Sequence, residues 1–317
     1  MFAKATLQEK SSAQLPVLSL IRSTGKANLT EFVLPVAISY SSAGDLYISD
    51  NNGQTIHRWA SNRYGADVFL AKNAAGLLEF PNDVQSVGDR VYISDNAGIK
   101  IFSVDGRFER LIRTYYAIFS FVITTRNTIL INPIIRNADS QDPLIVELDA
   151  DGKRIRGFGS RQDEVRQNGF NNRAFLAVAG SKLFVAFKYR QTIEVYDIDS
   201  GRLQNVINIE HPVLQNLRDS NVAQSSSIVS ERLVSPRYVA GVRAVRNKIF
   251  VCLHLPNPEI LEFDQNGRAV AHFRVPAETP AIDIFGFDAR DATHNISIAI
   301  GVLEPDWNST VYEVKVY

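Results

Sequence analysis

Five basic side chains in the middle of this chain, Arg136, Arg173, Lys188, Arg190 and Arg237, fall in polar breaks between apolar segments. Ammonium and guanidinium groups that converge there would suit a carboxylate, phosphate or sulfated ligand. Asp142, Asp163 and Glu164 occupy the same breaks and could neutralise them as ordinary solvated surface. Tyr189 and Tyr238 adjoin the basic residues and, with Tyr115 and Tyr116, could line a mouth for a sugar or peptide. His254 lies in a further break of the same kind. No Gly-x-Ser-x-Gly elbow, Walker loop or dinucleotide fingerprint occurs in the strand-to-helix context that each requires. The lone Cys252 excludes an internal disulfide, and its apolar surroundings make it a buried thiol rather than a nucleophile.

The elements that must position these groups repeat along the chain. Six segments share one pattern, a short apolar strand led in by a polar residue: Asp45-Leu-Tyr-Ile-Ser-Asp50, Arg90-Val-Tyr-Ile-Ser-Asp95, and the counterparts that begin at Thr128, Lys182, Lys248 and Asn295. Each is followed by a second alternating strand, as at Ile56, Ile99, Ile145, Ile193, Ile260 and Val311. In four copies a turn comes next, at Asp105-Gly106, Asp151-Gly152, Ser200-Gly201 and Asn266-Gly267, where glycine supplies the positive φ of a tight hairpin. With one further apolar segment upstream, each unit has four strands. A spacing of roughly 40–50 residues without helical periodicity is the range of propeller blades. The expected fold is all-β: a six-bladed β-propeller of four-stranded antiparallel blades, one domain over residues 1–317. Most of the 18 Phe and 11 Tyr would then fill the gaps between blades.

The last unit stops one strand short, and the strand-like segment Leu15 to Arg22 precedes the first. We expect that segment to complete the final blade, leaving no open sheet edge. Spacing departs from regularity once, between units four and five, where residues 208–235 form an insertion with a helical turn expected around Val213 to Leu217. A loop of that length is usually functional or disordered, and we expect it over the channel mouth.

The chain carries 34 Lys and Arg against 34 Asp and Glu, so no global field favours nucleic acid. No run approaches the ~18 apolar residues of a membrane span, and the polar start lacks a signal-peptide core. The expected state is monomeric.

Phe80-Pro-Asn-Asp-Val, then Arg90 to Phe102 and Asp105-Gly-Arg, resembles an NHL repeat, as does Asp45 to Trp59. Units three to six keep the strands and lose the Asp-Asn-Gly link. The resemblance implies the six-bladed NHL-like propellers, many of them bacterial, whose members include binding scaffolds, lactonase-like hydrolases and lyases. It also implies a site at the channel mouth and favours an extracytoplasmic location. Lactonase-like members place a divalent cation on Glu, Asn and Asp, for which Asn82, Asp83, Asp50, Asp95 and Asp283 are this chain's candidates. Asp50 and Asp95 sit where such residues cap a turn. Lyase relatives hold zinc on histidines, and His211 and His254, the two near the expected mouth, are too few for a three-His site.

The functional expectation is a binding module that needs no cofactor. Its rigid face would take a peptide, glycan or small anionic molecule on Arg136, Arg173, Lys188, Tyr189, Arg190, Arg237, Tyr238, His254, Asn82 and Asp83. The alternative is a lactonase-like hydrolase or lyase with a divalent cation in the channel.

Overall fold

In the computed structural model, the residues described are 15–23, 32–62, 67–71, 78–134, 142–161, 172–216, 236–276, 280–292, 295–304 and 309–316. Among these residues, twenty-four strands form six four-stranded antiparallel sheets, and the sheets stand in a ring as a six-bladed propeller. The N-terminal strand is β1 (Ser19–Ser23). Blade one is β2 (Pro35–Tyr40), β3 (Leu46–Asp50), β4 (Thr55–Trp59) and β5 (Asp67–Leu70); blade two is β6 (Asp83–Val87), β7 (Arg90–Asp95), β8 (Gly98–Ser103) and β9 (Phe108–Arg113). Blade three is β10 (Ala117–Ile123), β11 (Ile129–Ile134), β12 (Ile145–Leu148) and β13 (Arg154–Phe158); blade four is β14 (Ala174–Ala179), β15 (Lys182–Phe187), β16 (Thr192–Asp197) and β17 (Leu203–Asn208). Blade five is β18 (Val239–Val245), β19 (Lys248–Leu253), β20 (Glu259–Asp264) and β21 (Ala269–Arg274), and blade six is β22 (Asp283–Ala292), β23 (Asn295–Leu303) and β24 (Ser309–Val316).

The alternating strands bury both faces because every blade is covered by two neighbours. The core accordingly divides into six apolar clusters, one in each gap between blades. The cluster that closes the ring joins Ile38, Leu46, Ile48 and Trp59 of blade one to Ala299 and Val311 of blade six. Near the axis the blades approach so closely that two inner-strand positions need glycine. A Cβ on Gly241 would lie 2.7 Å from Phe287, and one on Gly286 would lie 2.9 Å from Ile38. The turn glycines also behave as their sequence context predicts, with φ of 86° at Gly106, 87° at Gly152, 68° at Gly201 and 80° at Gly267.

The N-terminal strand completes blade six. β1 pairs with β24 through Ser19↔Lys315 and Leu20↔Val314. Just before it, Val17 bridges in parallel to Arg274 of blade five, and the Leu18 amide donates to the Arg274 carbonyl at 3.0 Å. The arm therefore fastens two blades. The helical turn after β17 covers 212–216, and residues 217–235 of the insertion lie outside the described residues. No described helix is long and apolar enough to cross a membrane.

Inner strands of four blades carry a bulge near their start, at Val36, Phe119, Ala240 and Phe285. A bulge bends the strand and re-aims its side chains. Three of these residues, Val36, Ala240 and Phe285, line the axial cavity.

Candidate functional site

Loops after the second strands and links before the inner strands share one end of the ring, and a polar cluster forms there over blades three to six. Lys188 and Tyr189 follow β15, His254 follows β19, Arg173 precedes β14, Arg237 precedes β18, and Asp283 opens β22. Their backbones are stitched together. The Lys188 amide donates to the Arg173 carbonyl (2.9 Å), the Tyr238 amide to the Lys188 carbonyl (2.8 Å), and the His254 amide to the Tyr238 carbonyl (3.0 Å). Hydrogen bonds of this kind hold functional side chains on rigid scaffold rather than on free loop.

Two side chains and the Ile284 amide share the Asp283 carboxylate. His254 Nε2 lies 2.7 Å from one oxygen, and Arg237 binds the other. Arg237 also takes a hydrogen bond with the Tyr189 side chain. Burial alone would raise the Asp283 pKa, but His254 and Arg237 together hold the carboxyl well below the usual carboxylate range. An ionised Asp283 at this distance fixes the proton of a neutral His254 on Nε2 and leaves Nδ1 with the lone pair.

Lys188 and Arg173 stand over the bulged Phe119 of blade three, 5.8 Å and 5.7 Å from its ring centre. Phe119 is fixed in turn against Phe175, with centroids 5.2 Å apart. Burial, reinforced by repulsion from Arg237 and Arg173 and opposed by Asp283, pushes the Lys188 ammonium down to about 8. Burial likewise lowers Arg173. Among the described residues, Arg173, Lys188 and Arg237 gather beside the Asp283 carboxylate, and in so desolvated a setting each charge acts more strongly on its neighbours than it would in water.

Below the mouth, inner-strand residues of all six blades enclose a small cavity on the axis. The cavity there measures about 30 Å³, room for one or two water molecules. Arg243 of blade five crosses it, bonded at 2.5 Å to Asp288 of blade six and reaching the Leu176 carbonyl of blade four. Asp83 lines the same cavity from blade two. Burial pushes its carboxyl up to about 6, although Arg243 and the Phe121 and Val84 amides favour the ionised form.

The other sequence candidates are placed elsewhere. Arg190 stacks on Phe187 and pairs with Glu194 at 3.7 Å. Tyr238 is buried in the gap between blades four and five. Asn82 accepts from Asn51 at the junction of blades one and two. Arg136 lies outside the described residues. Phe119, by contrast, had no signal in the sequence: it reads as one apolar residue of a strand, and only the bulge sets it beneath the cations.

The oxygens proposed for an axial divalent cation do not suit one. Asp50 accepts the Val33, Leu34 and Gly53 amides, and Asp95 accepts those of Glu79 and Ala97 and binds Lys100. Asp283 is neutralised by Arg237 and His254, and Asp83 faces Arg243. Among the described residues, these oxygens form no acidic cage for a divalent cation.

No family model matches the chain, and no curated protein matches it. Solved structures do. Virginiamycin B lyase from Staphylococcus aureus superposes with a TM-score of 0.53 at 13% identity, covering 91% of this chain and 87% of that one. A gluconolactonase from Xanthomonas campestris gives 0.55 at 13%, covering 89% and 86%. A luciferin-regenerating enzyme gives 0.60 at 12%, covering 95% and 97%. At these identities the likeness is one of fold, and these neighbours are enzymes.

Proposed function

We propose that the mouth over blades three to six is a catalytic centre that opens the lactone or ester of a small, carboxylate-bearing molecule, without an axial metal ion. The observation that carries this reading is the His254–Asp283 pair set beside Arg173, Lys188 and Arg237. His254 Nδ1 takes a proton from water as its oxygen adds to the acyl carbon. The same proton then passes to the leaving alkoxide as the acyl C–O bond breaks. Asp283 orients the ring and stabilises the transient imidazolium. Lys188 stabilises the oxyanion, and Arg173 anchors the substrate carboxylate. Enzyme neighbours, one of them a gluconolactonase, support this reading over a binding module for a peptide or glycan. The single-domain organisation and the NHL-like motif of blades one and two enter it as scaffold.

The test is titration of acid released from paired γ- and δ-lactones with and without a carboxylate substituent. We expect the charged lactones to be preferred. We expect His254→Asn to lower kcat/KM on them by about 10²–10⁴-fold, the range for loss of a general base. Equal rates for wild type and variant would overturn the reading. So would tight binding of the ring-opened carboxylates with no lactone turned over, which is the outcome for a pure binding module.

A further inference from the structure

One group of metal-ligating side chains converges among the described residues, and it lies away from the mouth: His211, Glu259 and His272. His211 immediately precedes the helical turn 212–216, Glu259 opens β20, and His272 lies on the outer strand β21. Pairing of Glu259 with Arg274 and of Leu261 with His272 sets Glu259 and His272 diagonally on one face of the sheet. The link after blade four brings His211 over them. Its Nε2 lies 2.9 Å from Glu259 Oε2, and His272 Nε2 lies 2.6 Å from the same oxygen. The two rings meet edge to face with centroids 5.6 Å apart. Glu259 and His211 are buried, and His272 is the most open of the three, leaving an approach from the outside of blade five.

We propose that these three residues form a zinc site, with water as the fourth ligand, that clips the root of the 208–235 link to blade five. Two imidazole nitrogens and a carboxylate oxygen around one point are the donor set of three-ligand zinc centres. As hydrogen bonds alone, the arrangement aims two donors at a single oxygen. As a metal site, each atom gives one lone pair. Tetrahedral zinc bonds of about 2.0–2.1 Å separate ligand atoms by roughly 3.3 Å, so the present contacts of 2.9 and 2.6 Å need open by about 0.4 and 0.7 Å. The site shares no residue with the mouth, and its success or failure is independent of the lactonase reading.

The test uses the full chain stripped of metal, with Zn²⁺ and Co²⁺ as probes at pH 7.5. We expect one zinc per chain and a Tm about 5 °C higher at a hundredfold excess over Kd. Co²⁺ should give the intense visible bands of a four-coordinate ion. Glu259→Gln and His272→Gln should each bind zinc at least about 100-fold more weakly, beyond the effect of losing an outer-sphere partner. Zinc uptake unchanged in both variants, no zinc retained by the wild type, or a six-coordinate cobalt spectrum overturns the proposal. The cobalt spectrum of the wild type keeps it testable should either variant fail to fold.

Discussion

Blades one and two differ from blades four and five at one slot of the repeat, and the difference separates scaffold from site. Directly after the second strand, the first two blades carry Asn51 and Asn96, each following an aspartate whose carboxylate caps backbone amides, with Lys100 also paired to Asp95. The same slot in blades four and five holds Lys188 and His254. There the preceding residues are Phe187 and Leu253, fully buried. The turn has given up its self-capping carboxylate, and the freed position presents a titratable group to the mouth. One half of the ring uses the slot to satisfy itself. The other half leaves its polar groups in tension with their surroundings, as functional sites commonly do.

The largest expected contrast is kinetic. Asn51→Ala should leave lactone turnover unchanged while His254→Asn removes most of it, and comparable losses in both would erase the distinction. Next comes stability. Asp50→Ala strands three backbone amides and should lower the unfolding free energy by about 3 kcal/mol in denaturant titrations. Lys188→Met should act in the opposite direction, raising stability at pH 7 by about 1–2 kcal/mol, because it removes a charge that the fold disfavours. The sign follows from linkage. The folded amine, at about 8, lies below its unfolded value, so the wild type is penalised at pH 7 and recovers as pH rises through that interval. The gain from Lys188→Met should therefore fade by pH 10, and a pH-independent difference would point to packing alone. The smallest effect is on the pH profile of kcat. As pH rises from 7 to 9, Lys188 loses its proton, and kcat on a carboxylate-bearing lactone should fall by about fivefold in wild type and stay flat in Lys188→Met.

The scaffold was far more legible than the site. Strand alternation, turn glycines and the missing last strand are local signals, and they led to six blades and to the closing role of Leu15 to Arg22. Basic residues near the mouth could be named from their place between strands, yet the sequence grouped Arg190 and Tyr238 with them, and the structure turns one to Phe187 and Glu194 and buries the other. Asp283 figured only as a possible cation ligand, not as the partner of His254, 29 residues away in the preceding blade. His272 reads in sequence as one residue of an alternating strand and Glu259 carries no signal, because neither shows that a link from blade four will descend on them.

From its residues alone, the chain determined the blade: a period-two alternation of apolar side chains broken at glycine turns has few ways to bury itself other than against copies of itself. What only the tertiary structure decided is which polar groups meet. That depends on the closeness of blades at Gly241 and Gly286 and on the bulge at Phe119, which set distances between residues far apart in sequence. Burial is dictated locally by pattern, whereas electrostatic partnership is a property of positions in space.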